Sequence, residues 1–146
     1  MKTTIAPSQK RQRGVTAIEF ALVATAFFIL LIGIMEMGRV LFYWNTAAEV
    51  TRLGARTAVV CDKNDADIKA RMVALFPTLS TDDISVIYQP DGCTASNCEL
   101  ITVSVAAGTP IDTFIPFVPL SLTMPAFTTT LTRESMDSSG GNPVCQ

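Results

Sequence analysis

A glutamate lies near the start of a long apolar segment, close to a peptide bond whose position suggests proteolytic processing. Glu19 precedes a charge-free run from Phe20 to Met35, and a carboxylate inside a membrane helix costs about 2–3 kcal/mol unless it is paired or reaches the interface. Gly14, five residues before Glu19, ends a basic stretch. Cleavage between Gly14 and Val15 would expose an α-amine one helical turn from the carboxylate.

Pairing of this carboxylate with the new amine is favoured between chains. Within one chain, an amine at an exposed helix start stays hydrated, so its attraction to Glu19 is weak. Between helices stacked with an axial offset, the carboxylate of one chain meets the amine of the next, and the low dielectric of the membrane strengthens the attraction. The alternative is that Glu19 extends to the lipid headgroups without any partner.

The four cysteines all follow the apolar segment, as expected if that part of the chain lies in an oxidising compartment. Cys93 and Cys98 flank a short turn and can pair, which leaves Cys61 for Cys145. Four cysteines allow three connectivities, so other pairings stay open. A redox-active thiol site is the competing interpretation, but the sequence has no C-x-x-C motif.

The sequence contains no histidine, so the commonest general base and the commonest zinc ligand are both missing. We therefore expect no enzyme activity, no metal and no cofactor or small-molecule substrate. Acids after Cys61 superficially resemble a calcium loop, but the required glycine and distal glutamate are absent, and helix capping by Asp65 is the better interpretation. From Cys61 to Gln146 the sequence has ten acidic and four basic residues, and this acidic balance excludes a nucleic-acid surface.

The apolar segment predicts a helix that spans a membrane. Extended to Val15 and Met37, it is long enough at about 1.5 Å per residue to cross about 30 Å of hydrocarbon. Basic residues on its N-terminal side place the N-terminus in the cytoplasm; they are Lys2, Lys10, Arg11 and Arg13. The following aromatic residues, Phe42, Tyr43 and Trp44, would form a belt at the far interface. A cleaved secretory signal is the alternative.

One small domain of the α+β class is expected beyond the span. Small residues on one face of the continuing helix predict close approach of a neighbour, the protein's own sheet rather than another subunit; they are Ala47, Val50, Gly54 and Ala58. Residues 62–77 predict a short amphipathic helix. Residues 84–89 and 99–107 predict a β-hairpin, and 126–136 a third strand.

Two further segments of the domain have alternative interpretations. The hydrophobic segment 114–124 is either core or, if exposed, a docking surface. The tail from Ser138 is loose unless Cys145 ties it down.

The sequence from Arg13 to about residue 60 resembles the N-terminal region of TadE-like pseudopilins, the minor pilin-like proteins of the tight-adherence (Flp) type IVb pilus. The similar features are the Gly14–Val15 junction with Glu19 and Phe20, "EMGR" at 36–39 and "RLGAR" at 52–56. "LTRESMD" at 131–137 only faintly resembles the closing strand of the family. The sister family TadF fits the same features.

The resemblance implies a pilus-assembly role at the bacterial inner membrane. It implies cleavage after Gly14 by a prepilin peptidase, a requirement for Glu19 in cleavage or assembly, and partners among other pilins, pseudopilins and the assembly platform. The expected organisation is a basic leader (1–14), a transmembrane helix (15–38) and a periplasmic pilin-like domain (39–146), with entry into the fibre and retention in the basal complex both open. The alternative is an unprocessed, membrane-tethered periplasmic binding or scaffold protein.

Overall fold

The computed structural model describes residues 13–111, 113, 122–139 and 142–145. The chain divides into two compact units, the first ending at Gly38 and the second beginning at Arg39. The α+β class predicted from the sequence is confirmed, since a long helix, a short helix and antiparallel strands are all present. Most of the expected leader (1–14) lies outside the described residues.

The first unit contains the beginning of helix α1, which runs from Arg13 to Ala58 without interruption. From Gly14 to Met35 the side chains are exposed apart from the half-buried Ala24, and the most apolar stretch of 18 residues has a mean hydropathy of 2.5. A helix that is apolar on every face is stable in lipid rather than in water. Its length and composition fit a membrane anchor.

The second unit contains the rest of α1 and all the other elements. These are helix α2 (Ala66–Leu75), a 3₁₀ turn (Thr81–Asp83) and strands β1 (Ile84–Gln89), β2 (Leu100–Val105), β3 (Pro110–Ile111), β4 (Leu122–Thr123) and β5 (Phe127–Thr132). A three-stranded antiparallel sheet has the order β1-β2-β5, and β3 pairs with β4 separately. The predicted hairpin and third strand are therefore present, with boundaries shifted by a few residues.

The core of the second unit forms on one face of the three-stranded sheet. Alternation along β2 buries Ile101, Val103 and Val105 completely, because successive side chains of a strand point to opposite faces. Ile68 and Met72 of α2 are buried in the same cluster, at the helical spacing predicted from the sequence. Asp65 precedes α2 and caps it, since its carboxylate accepts a hydrogen bond from the N–H of Asp67 at 3.0 Å.

The small-residue face of α1 is covered within its own unit, but its neighbour at Gly54 is a helix. A Cβ atom at Gly54 would overlap the Sδ atom of Met72 in α2, so the sulfur occupies the space that a larger residue would need. The sequence predicted the sheet as the neighbour. Periodicity identifies which face is buried but carries no information about the element that covers it.

Replacement of Gly54 by leucine is expected to lower the free energy of unfolding by about 1–3 kcal/mol. Extra atoms in a close-packed site cost about this much, and the gain in helix propensity over glycine, about 0.8–1 kcal/mol, offsets only part of it. Gly38 is the matched control, because a Cβ atom there meets nothing within 4 Å. Urea unfolding of the full chain in detergent, followed by Trp44 fluorescence, measures both variants; equal losses would contradict the close packing.

The three aromatic residues expected at the membrane interface differ in exposure. Phe42 is 63% exposed, whereas Tyr43 and Trp44 pack partly buried against the core. The Tyr43 ring lies 5.8 Å from the ring of Phe76, measured between centroids. Two of the three side chains therefore stabilise the domain. Of the hydrophobic segment 114–124, residues 114–121 lie outside the described residues, and Met124 is buried.

Candidate functional site

The expected processing site lies among the first residues of α1 that the structure describes. Gly14 and Val15 are both exposed. Apart from the neighbouring helix backbone, no described atom lies within 4 Å of a Cβ position at Gly14. The Gly14–Val15 bond therefore lies on an uncovered part of the helix.

Glu19 and Phe20, the expected assembly residues, are exposed one turn further along. Phe20 is 73% exposed, and Glu19 forms no hydrogen bond or ion pair with any residue in the described part of the chain. Between Gly14 and Met35 Glu19 is the only charged residue. An ionised carboxylate in this apolar surface requires a partner from outside the chain or access to the headgroups.

The helical geometry brings Val15 and Glu19 together on one face. Residues four apart on a helix have Cβ atoms about 5–6 Å from each other, and α1 is continuous through both. A new α-amine at Val15 would therefore lie on the same side of the helix as the carboxylate. The face that carries the pair is uncovered within the first unit, so it is open to a neighbouring helix.

The cysteines lie in the second unit and form two disulfides, Cys61–Cys145 and Cys93–Cys98. All four are at most 6% exposed, and no described cysteine is free. Buried disulfides are poorly accessible to thiol exchange, which favours structural crosslinks over the redox-site alternative.

The Cys61–Cys145 disulfide fixes the C-terminal segment over the end of α1. The carbonyl of Val59 accepts hydrogen bonds from the N–H groups of Glu134 (3.1 Å) and Met136 (3.3 Å), and that of Val60 accepts one from Asp137 (2.9 Å). These two carbonyls lie just beyond the end of α1 at Ala58, and residues 134–137 satisfy them. The tail from Ser138 is held by the disulfide at Cys145, which is the condition that the sequence set for an ordered tail.

The Cys93–Cys98 loop is fixed by two cations from distant parts of the chain. Lys63 Nζ donates a hydrogen bond to the carbonyl of Cys93 at 2.7 Å, and Arg133 Nη1 donates one to that of Ala95 at 3.0 Å. Lys63 also lies 5.5 Å above the ring of Tyr88, whose hydroxyl has a pKa raised above 10.0 mainly by burial. These contacts could not be predicted from the sequence, because a lone lysine in a polar loop carries no periodic signal.

Asp65 links the start of α2 to the tail. Its carboxylate accepts a hydrogen bond from the Ser138 hydroxyl at 2.7 Å, and the same hydroxyl oxygen accepts one from the N–H of Asp62 at 2.8 Å. The bond from Ser138, followed by that from the N–H of Asp67, lowers the pKa of Asp65 below its ordinary value of 3.8. The charged form of Asp65 therefore stabilises the fold.

Acid is expected to weaken the domain partly through Asp65. Because the folded-state pKa is lowered, the stabilisation is complete above pH 3.8 and is lost as the pH falls through the folded-state value. The side chain of Asp65 is only partly buried, so solvent screens it and the contribution is about 0.5–1 kcal/mol. Urea titrations at pH 7 and pH 2.5 measure it; Asp65→Asn, which keeps a capping amide oxygen, should lose less stability on acidification. An identical acid loss in both proteins would contradict this role.

No group of three or more histidine, cysteine, aspartate or glutamate side chains that could hold a metal ion is found within residues 13–111, 113, 122–139 and 142–145. The expected site residues belong to different units: Gly14, Val15, Glu19 and Phe20 are part of the first and the cysteines are part of the second.

Comparison with known proteins identifies the beginning of the chain. Residues 14–56 match the family model described as TadE-like protein, which confirms the resemblance inferred from the sequence. The match covers the helix α1 from Gly14 onward almost completely and leaves α2 and the strands outside it. No curated protein and no solved structure matches the chain significantly.

Proposed function

We propose that this chain, whose residues 14–56 are TadE-like, is a minor pseudopilin needed for assembly of a tight-adherence pilus. The TadE-like segment associates the chain with this pilus. The finer role is processing after Gly14 by a prepilin peptidase, followed by packing of α1 against the helices of other pilins or pseudopilins in the inner membrane. The domain that begins at Arg39 then lies in the periplasm.

The observation that carries this proposal is the isolated carboxylate of Glu19. It is exposed on an apolar helix that fits a membrane anchor, and it lies about one turn from the exposed Gly14–Val15 peptide bond. Cleavage at that bond supplies the cation that the carboxylate lacks. A neighbouring helix offset along the membrane normal brings amine and carboxylate together, which fixes the register of the two helices.

Periplasmic placement is supported by the charges and by the cysteines. Basic residues precede the span and none occurs between Arg13 and Arg39, which favours a cytoplasmic N-terminus. Two disulfides in the second unit suit the oxidising periplasm. The structural, non-enzymatic role suits the TadE-like family and a sequence without histidine.

The mass of the chain isolated from native membranes tests the proposal directly. We expect a protein that begins at Val15 and therefore lacks the first fourteen of the 146 residues. Cells without the prepilin peptidase are the control and should retain the full chain. A full-length chain in peptidase-positive, piliated cells would contradict the proposal and support the unprocessed tether.

A further inference from the structure

Among the described strands, β1 pairs with β2 on one side only, so it forms an edge of the three-stranded sheet. The N–H of Ala106 donates to the carbonyl of Asp83 at 2.8 Å, which sets the alternation of the antiparallel ladder. Odd-numbered residues of β1 bond to β2, and the N–H and C=O groups of Ile84, Val86 and Tyr88 point to the other side. These groups have no backbone partner among the described residues.

A groove of about 530 Å³ runs between this edge and helix α2. Its walls include Ile84, Val86 and Tyr88 on the strand side and Ile68 and Lys69 on the helix side. The strand side is about 13 Å long at about 3.3 Å per residue. Unpaired strand edges are templates for a further strand, and a groove between an edge strand and a helix is a site at which extended peptides add to a sheet.

The charges around the groove indicate the side chains that would suit it. Two carboxylates line it, Asp65 and Asp82, and Asp82 has no hydrogen bond or ion pair within the described ranges. The one cation of the lining, Lys69, donates its amine to the carbonyl of Thr81 at 3.0 Å. An incoming segment with a lysine or arginine would therefore meet a net negative groove.

We propose that β1 binds an extended segment of a partner protein as a fourth strand of the sheet, with a basic side chain of that segment directed towards Asp65 and Asp82. Backbone hydrogen bonds to Ile84, Val86 and Tyr88 supply the affinity, and the two carboxylates supply the preference for a basic segment. A second copy of this chain fits less well, because it would bring its own Asp65 and Asp82 towards the same two acids. The interaction does not depend on processing at Gly14.

Hydrogen exchange of the full chain tests the added strand. The amides of Ile84, Val86 and Tyr88 should exchange rapidly in the chain purified in detergent. In native membranes of piliated cells they should exchange at least ~10-fold more slowly. The amides of Thr128, Thr130 and Thr132, on the free edge of β5, are the internal control and should not change. Equal rates at β1 in both preparations would overturn the proposal, whatever the N-terminal residue proves to be.

Two variants assign the protection to this edge. Val86→Pro removes the central outward N–H without removing a bond to β2, so the slow exchange at Ile84 and Tyr88 should disappear. Thr130→Pro makes the same change on the free edge of β5 and should leave the slow exchange of the β1 amides intact. Asp82→Asn, which does not disturb the backbone, should reduce the protection of the β1 amides. An unchanged exchange rate would contradict a basic side chain of the partner segment at Asp82.

The oligomeric state distinguishes a partner from a second copy. We expect the purified chain to be monomeric in detergent by light scattering, with unprotected β1 amides. A dimer whose β1 amides are already slow to exchange would overturn the partner protein as occupant.

Discussion

Replacement of Cys61 and Cys145 by serine is expected to lower the free energy of unfolding of the domain by about 4.5 kcal/mol. The two cysteines are 84 residues apart in sequence, and in the chain-entropy model a closed loop of that length restricts the unfolded chain by about this amount. Small domains have a total stability of about 5–15 kcal/mol. The double variant should therefore be marginally folded, with the tail from Ser138 released from the segment that follows α1.

The second disulfide supplies a matched control within the same chain. Cys93 and Cys98 are 5 residues apart, and a loop of that length corresponds to about 2 kcal/mol in the same model. The serine variants of both pairs can be compared by urea unfolding of the full chain in detergent. Trp44 reports the transition, because it is the only tryptophan and packs against the core. Equal losses from the two pairs would contradict loop closure as the cause.

Local pattern was sufficient to predict most elements of the domain. The alternation in residues 84–89 and 99–107 predicted the β1–β2 hairpin, because period-2 burial is a property of the strand itself. The cap at Asp65 and the apolar spacing after it predicted α2 for the same reason. The expected connectivity of the four cysteines, Cys61 with Cys145 and Cys93 with Cys98, is also the one in the structure.

The contacts between distant segments were not predictable in this way. The neighbour of Gly54 was expected to be the sheet and is Met72 of α2, since a small residue indicates close approach without naming the partner. The three hydrogen bonds from residues 134–137 to Val59 and Val60 join residues about 75 positions apart, and no local motif marks them. The position of β2 between β1 and β5 is set by the packing of the whole sheet.

The candidate site shows the same division between local and distant information. Gly14, Val15, Glu19 and Phe20 were found from types and spacing, because a charge in an apolar run is visible in the sequence itself. The groove beside β1 was not found, since it depends on where α2 lies relative to a strand edge. Its only signals in the sequence are the acids Asp65 and Asp82, and such acids occur in many solvated loops.

Glu19→Ala is expected to abolish surface pili in cells that carry only this variant. If the carboxylate of Glu19 pairs with the amine of a neighbouring chain inside the membrane, its removal leaves that amine buried and uncompensated, which costs about 3 kcal/mol or more. This equals a loss of at least about a hundredfold in association. Electron microscopy counts the pili, and immunoblots confirm equal amounts of the chain in the membrane.

Two further variants separate the charge of Glu19 from its shape and from the charge of the whole chain. Glu19→Gln keeps the size and the hydrogen-bonding oxygen, so it should fail as completely as alanine if the charge carries the interaction. Glu49→Ala removes a carboxylate from an exposed pair with Arg52 at 3.4 Å in the second unit, which contributes little, and should leave piliation unchanged. The N-terminal mass of Glu19→Gln then locates the defect. A chain that begins at Val15 but forms no pili has lost helix pairing, a chain with its leader intact has lost recognition by the peptidase, and normal piliation would contradict a role for the charge in either step.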